Sequence, residues 1–174
     1  MRGRLGGNLN AMQIDDVLLD MGAAGKFTGG GAVLRGPQDK GIGSARFKLH
    51  TDRINLKSLY STMKATAIAG DIQLTSAGDL QTLGAQLSER GMRLDAQATL
   101  ANQVLNIKRA RLSAGSGHVD IKGSASLEDK REFKIGATAV HFNPAALGDF
   151  PEADINALVN ASGALAPEWK VTSD

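Results

Sequence analysis

The chain has no cysteine, which removes disulfides, thiolate nucleophiles and the usual structural zinc sites together, though it leaves the compartment open. Charge of one sign is missing too. Twenty Lys and Arg face 18 Asp and Glu, a net +2, so there is no overall electrostatic footprint for nucleic acid or acidic polymers. Aromatic residues make up 4% of the chain, too few to fill a thick core in the usual way. No apolar run approaches the ~20 residues that span a bilayer. Met1-Arg-Gly-Arg leads into glycines rather than the apolar stretch of a signal peptide. The last residues, Trp169 to Asp174, read as a strand cut in mid-course, as expected of a piece of a longer protein.

What is present is glycine, at 21 positions, and short runs of alternating aliphatic residues. The glycines follow no collagen period, and enough Val, Ile, Leu and Phe remain to argue against disorder. Met12 and Ile14 sit on even positions, whereas Val17, Leu19 and Met21 sit on odd ones. Side chains of a strand alternate between faces, so a parity switch at Asp15-Asp16 calls for a bulge to keep one face inward. Gly22 to Leu34 reads as a turn and two strands, and Arg35 to Ser44 as a Pro/Gly loop. Phe47 and Leu49 then switch to Ile54 and Leu56 across Asp52-Arg53, with one helical turn expected between Lys57 and Met63. Ile68, Gly70, Ile72 and Leu74 alternate cleanly. Leu80, Leu83 and Leu87 have helical spacing, but Gly84 and Gly91 interrupt it, and an irregular strand is the better reading. Met92, Leu94, Ala96, Ala98 and Leu100 alternate again.

The pattern then restarts. Leu105-Asn-Ile107-Lys-Arg-Ala110-Arg-Leu112 matches Met12-Gln-Ile14-Asp-Asp-Val17-Leu-Leu19, with the register running on to pair Leu127 with Leu34. Phe133-Lys-Ile135 matches Phe47-Lys-Leu49, and Val140-His-Phe142 matches Ile54-Asn-Leu56. Asp154-Ile155 answers Asp71-Ile72, and Ser162 to Leu165 answers Ala77 to Leu80. The expectation is one repetitive segment over residues 1–174, with copy one at 12–86 and an incomplete copy two at 105–174. Parity switches are expected at Asp15-Asp16, Asp52-Arg53, Lys108-Arg109 and between Ala137 and Ala139. A strand repeat of this kind implies an all-β, elongated, curled sheet.

Residues that invite chemistry read better as surface. Asp15, Asp16 and Asp20 correspond to Lys108, Arg109 and Ser113 in the second copy, so a shared metal function is excluded by sign. His50, His118 and His141 lie on polar positions without metal-ligand spacing, and His118-Val-Asp120 is one pair, not a site. Gly22-Ala-Ala-Gly25-Lys26 lacks the spacing of a phosphate loop and lies between strands. Ala114-Gly-Ser-Gly-His118 does not make a nucleophile elbow. Lys108-Arg-Ala-Arg111 and Lys130-Arg131 are short basic clusters suited to solvated strand faces. Asn143-Pro144 fits a helix cap with Pro at the first position, starting a single turn at Ala145-Ala-Leu147. No catalytic residue, metal or cofactor is assigned, and no enzyme activity is expected.

Three features carry a family resemblance: the L-x-I-x-x-[VA]-x-L strand, the Gly-rich segment closing on Gly-x-Ala-x-Leu, and the run from Phe133 to Leu165. In particular FNPAALGDFPEADINALVNASGAL is similar to the recurrent pattern of the AsmA-like superfamily, and within it the TamB family of translocation and assembly module proteins. The resemblance covers most of the chain. It implies a curled sheet, or β-taco, with a continuous apolar inner face. It also implies a full-length protein anchored in the inner membrane and running through the periplasm of a Gram-negative bacterium. Such proteins take part in outer-membrane biogenesis, as phospholipid bridges and as partners of an Omp85-type assembly protein.

The aliphatic positions alone fit either a closed core or a greasy groove; the resemblance implies the groove. Its candidates are Phe47, Leu49, Ile54, Leu56, Ile68, Ile72 and Leu74, continued by Phe133, Ile135, Val140, Phe142 and Ile155, with Met92, Leu94, Leu105, Ile107 and Val159 on the intervening and closing strands. The partners implied are phospholipid acyl chains and adjoining sheet segments of the same chain. A rival class is a scaffold whose free strand edge helps outer-membrane β-proteins or autotransporters assemble. A β-helix carbohydrate enzyme would need a recurring acidic cluster, and none is apparent.

Overall fold

A computed structural model describes residues 2–8, 10–36, 42–128, 131–164 and 170–173. Strands β1 (Arg2–Asn8), β2 (Ala11–Asp20), β3 (Gly25–Arg35) and β4 (Ile42–Ile54) lead to a one-turn helix, α1 (Leu56–Leu59). Strands β5 (Ile68–Ala77), β6 (Leu80–Glu89), β7 (Met92–Ala101), β8 (Val104–Ala114), β9 (Gly117–Ser126) and β10 (Glu132–Phe142) follow. A 3-10 turn (Pro144–Ala146), β11 (Ile155–Ala164) and β12 (Lys170–Ser173) complete the described elements. All twelve strands form a single antiparallel sheet in chain order, an all-β fold that curls without closing into a barrel. Among the described residues no helix is long and apolar enough to cross a membrane. Residues 37–41 of the expected Pro/Gly loop, Lys130, Leu165 and Trp169 lie outside the described residues.

Period-two patterning explains the sheet, because each run of alternating aliphatics forms a strand that offers one apolar face. Leu80 to Glu89 is a regular strand rather than an irregular one: Leu83, Ala85 and Leu87 alternate, and the small Ala85 concealed the pattern. Gly22 to Leu34 holds one continuous strand after a 3-10 turn, not two.

Bulges occur at three of the four expected switches. The register slips between Ile14 and Val17, between Thr51 and Ile54, and between Ile107 and Ala110. Asp16 takes a positive φ of 52° there, a conformation that a short polar side chain tolerates better than most. The fourth switch lies further along than expected. Ala137 and Ala139 remain on the apolar parity, and the slip falls between Ala139 and Phe142, with His141 at φ 47°.

That shift corrects the internal alignment. Ile54 pairs with Ile68, and Phe142 pairs with Ile155, so these two pairs hold equivalent places. The counterpart of Ile155 is therefore Ile68 rather than Ile72, and that of Phe142 is Ile54 rather than Leu56. The asparagines that follow confirm the match. Asn55 Oδ1 accepts from the amides of Lys57 and Thr66, both at 3.2 Å. Asn143 Oδ1 accepts from those of Ala145 at 3.0 Å and Ala153 at 3.3 Å. Each asparagine thus caps a helical turn and also ties down the returning end of its own loop.

These two loops, residues 55–67 and 143–154, meet across the curl. Met63 and Gly148 form an isolated antiparallel bridge. The Lys64 amide donates to Leu147 O and the Asp149 amide to Thr62 O, each at 2.9 Å. Lys64 Nζ donates to Ala145 O at 2.5 Å. Gly148 is buried, and a Cβ there would collide with Thr62 O and Met63 Cα. Loops rooted six strands apart touch only because the sheet bends back on itself. The clasp closes one end of the curl.

Candidate functional site

Cross-strand pairs lie on the same face of a sheet, so the register defines the apolar surface row by row. One row runs Val17, Gly29, Leu49, Ile72, Ala85, Ala96, Ala110, Ile121, Ala137, Val159. Its neighbour runs Ile14, Gly31, Phe47, Leu74, Leu83, Ala98, Ile107, Gly123, Ile135, Ala161. Neither row contains a charged or hydrogen-bonding side chain from β2 to β11. A third row nearer the clasp includes Leu19, Phe27, Leu87, Leu94, Leu112 and Val119. Glycine at 31 leaves room for the Phe47 ring, which occupies the space a Cβ there would need. Small residues thus thin the sheet's face, and bulky ones supply its contact area.

The face is covered at one end only. Phe27, Ile54 and Ala114 are buried near the clasp, together with Thr51 and Thr66. Their hydroxyls are satisfied, Thr51 by Lys26 O at 2.7 Å and Thr66 by Ile54 O at 2.8 Å. Away from the clasp the apolar side chains remain in reach of solvent: Leu74 is 44% exposed, Leu83 41% and Val159 45%. A sealed core would bury these positions. The face is an open trough with a roofed end.

Beneath the roof lies a cavity of about 240 Å³. Ile54, Ile68, Leu87, Met92, Leu94 and Leu112 form its floor and walls, with Leu56, Met63 and Leu147 from the loops above. The chain matches no protein-family model, no curated protein and no solved structure. Site chemistry therefore has to be read from this geometry.

Of the groove candidates, Phe47, Leu49, Ile54, Ile68, Ile72, Leu74, Met92, Leu94, Leu105, Ile107, Phe133, Ile135, Phe142, Ile155 and Val159 share the apolar face. Leu56 is in α1 rather than on a strand and contributes to the roof. Val140 is displaced. It pairs with His118 on the polar parity, because the bulge comes after it rather than before it. Sequence reading passed over Leu83, Leu87, Val119 and Ile121, whose alternation with small residues was the available signal. It had no means of finding Met63 and Leu147, which reach the site through loop docking.

The opposite face carries the charge, paired locally. Arg111 binds Asp120 through Nε at 2.7 Å and Nη2 at 2.5 Å, and holds that carboxyl below the usual range. Arg93 does the same to Asp95. Asp15 accepts from Gln13 and Asp16 from Arg4, so both bulge aspartates are engaged at the surface. His50 lies 2.8 Å from Asp71 and 3.1 Å from Asp52; those hydrogen bonds raise its pKa. His141 contacts Asp154 at 3.1 Å, and His118 approaches Asp120 at 3.6 Å. Among the described residues no group of three potential metal ligands forms.

Proposed function

We propose that the chain is a non-enzymatic segment of a periplasm-spanning lipid conduit, whose trough carries or shields phospholipid acyl chains between inner and outer membrane. The observation that carries this reading is an unbroken apolar face over ten strands, left without a covering layer along most of its length. An exposed apolar surface of that extent calls for a ligand or a partner. Each methylene removed from water gains ~0.8 kcal/mol, so a few carbons of acyl chain bind usefully. With no directional groups in the central rows, contacts are equivalent from one row to the next, which suits sliding. The resemblance to the TamB family supports the same reading, with the full-length protein anchored in the inner membrane, adjoining sheet segments extending the trough, and an Omp85-type protein as outer-membrane partner.

Native mass spectrometry and lipid extraction of the purified chain test the proposal, together with Ile72→Asp and Gln73→Asp. In an open trough Ile72→Asp leaves the sheet folded, because water reaches the new carboxylate, and it lowers lipid occupancy. Gln73→Asp, on the opposite parity, changes neither. Unfolding of Ile72→Asp alone would indicate a sealed core and sink the conduit reading. The all-exposed side chains of β1 favour a second reading, a scaffold that offers a strand edge to unfolded outer-membrane β-proteins. Lipid-free protein that captures unfolded porin would select it.

A further inference from the structure

On the polar face, six cations stand apart from the local charge pairs. Pairing across β4 to β7 sets Lys48, Gln73, Gly84 and Gln97 in one row, which Arg109 continues on β8. Lys108 and Arg109 form the bulge that lies against Lys122 of β9. The adjoining row runs Arg46, Thr75, Thr82, Thr99, Asn106, Ser124, Lys134. Neither row holds a carboxylate from β4 to β11. All six cations are exposed, and among the described residues none hydrogen-bonds or ion-pairs with a carboxylate. Asp95 and Asp120, in the next row, are held by Arg93 and Arg111, and Arg109 and Lys122 act on them only coulombically. Cations gathered without acids between them make a positive band that attracts an anionic partner.

At the middle of the band the floor drops. Gly84 has no positive φ, and a Cβ there would meet nothing within 4 Å, so the backbone does not require glycine at this place. The missing side chain instead opens two adjoining depressions, of about 190 and 290 Å³. Asp71, Gln86, Asp95 and Arg109 border the first, and Thr75, Thr82, Thr99 and Lys108 the second. Gln73 and Gln97 border both. Each exceeds the ~150 Å³ that admits a six-membered ring such as benzene. Each also sets one cation among groups that donate and accept hydrogen bonds.

We propose that this band binds an acidic polysaccharide, its acid groups on the six cations and its sugar hydroxyls in the depressions over Gly84. Spacing selects the occupant. Lys48 and Arg109 are four strands apart, about 19 Å at ~4.8 Å per strand, with only Gln73, Gly84 and Gln97 between them on their row. A polymer charged at every link, such as polyphosphate, would set anions against that gap and against Asp71 and Asp95 beside it. A sugar chain with its acid groups set apart brings hydroxyls there instead, which donate to the two aspartates and accept from the glutamines. Exposed ion pairs are weak one by one, so a polymer that engages several at once fits the band better than a single small anion. This face is opposite the trough, and the site stands whether or not the trough carries lipid.

The test titrates three probes calorimetrically into the whole chain: a hyaluronan octasaccharide, acidic at every second sugar, the neutral maltooctaose, and polyphosphate of similar length. The wild-type chain is expected to bind hyaluronan, to bind polyphosphate more weakly, and to leave maltooctaose unbound. Replacing both Lys108→Gln and Arg109→Gln should lower hyaluronan affinity about tenfold, the worth of two exposed ion pairs. Replacing Lys57→Gln and Arg90→Gln together removes the same charge away from the band and should change nothing. Gly84→Gln keeps every charge but fills the depressions; it should weaken hyaluronan several-fold and leave polyphosphate unaffected. No binding of hyaluronan by the wild type overturns the site and leaves the conduit reading intact. Tighter binding of polyphosphate, or indifference of hyaluronan to Gly84→Gln, shows a general cationic surface, and the polysaccharide assignment fails. An equal loss in the Lys57 and Arg90 variant makes net charge the cause and overturns the band. Should the Lys108 and Arg109 variant melt early, Lys48→Gln with Lys134→Gln, towards the band's two ends, takes its place with the same expected loss; unchanged affinity there also counts against the band.

Discussion

Replacing Gly148 with valine should open the clasp without unfolding the sheet. The new Cβ would run into Thr62 O and Met63 Cα, both backbone atoms that cannot swing aside, so the two loops must part. Parting removes the hydrogen bonds from Lys64 N to Leu147 O and from Asp149 N to Thr62 O. At a net ~1 kcal/mol each, these account for about 2 kcal/mol. Met63 and Leu147 also lose cover over the cavity. Both are only half-buried, so their share is a fraction of the ~1.5–3 kcal/mol for a full side chain, about 1 kcal/mol between them. The expected destabilisation is therefore about 3 kcal/mol, and for a two-state chain of this size it lowers the melting temperature by roughly 6–12 °C. Hydrogen exchange locates the effect. The amides of Lys64 and Asp149 should lose protection, while those in β6 to β9 keep theirs. Unchanged protection at Lys64 and Asp149 would mean the loops do not hold one another. Loss of protection throughout β6 to β9 would mean that the curl depends on the clasp for its existence, which also refutes the reasoning.

Two further predictions concern local chemistry. The Asp71 and Asp52 hydrogen bonds raise the His50 pKa, so their contribution to stability is fully present below the ordinary histidine value, while the aspartates remain ionised, and is lost as pH rises through the elevated value. Imidazole NMR should show a titration above 6.5 that moves down in Asp71→Asn; an unmoved midpoint would refute the pairing. Asn102 and Gln103 turn the β7–β8 hairpin with φ of 48° and 57°, a geometry that prefers Asn-Gly, and Gln103→Gly should stabilise the chain by about 1 kcal/mol, read as a rise in melting temperature. A fall in melting temperature would show that the Gln103 side chain matters more than the strain of its backbone.

Much of this fold is written locally. A strand repeats every two residues, so Ile68 to Leu74 and Met92 to Leu100 declare their apolar face within a few positions, and a charged pair at a parity switch marks a bulge at Asp15-Asp16, Asp52-Arg53 and Lys108-Arg109. Asn143-Pro144 likewise announces its turn, because capping involves neighbours in the chain. The sheet class and most of the apolar face follow from such short-range rules. Register between distant copies does not. Ala137 and Ala139 are small enough to satisfy either parity, so nothing in the sequence placed the fourth bulge at Val140-His141 or moved Val140 to the polar face; pairing with β9 and β11 decided that. The roof is further from reach. Met63 and Gly148 are 85 positions apart, and they meet only after the six strands between them, β5 to β10, have twisted and curled in common. That meeting sets Met63 and Leu147 over the cavity walled by Leu87, Met92, Leu94 and Leu112, a contact that no short-range rule in the sequence marks.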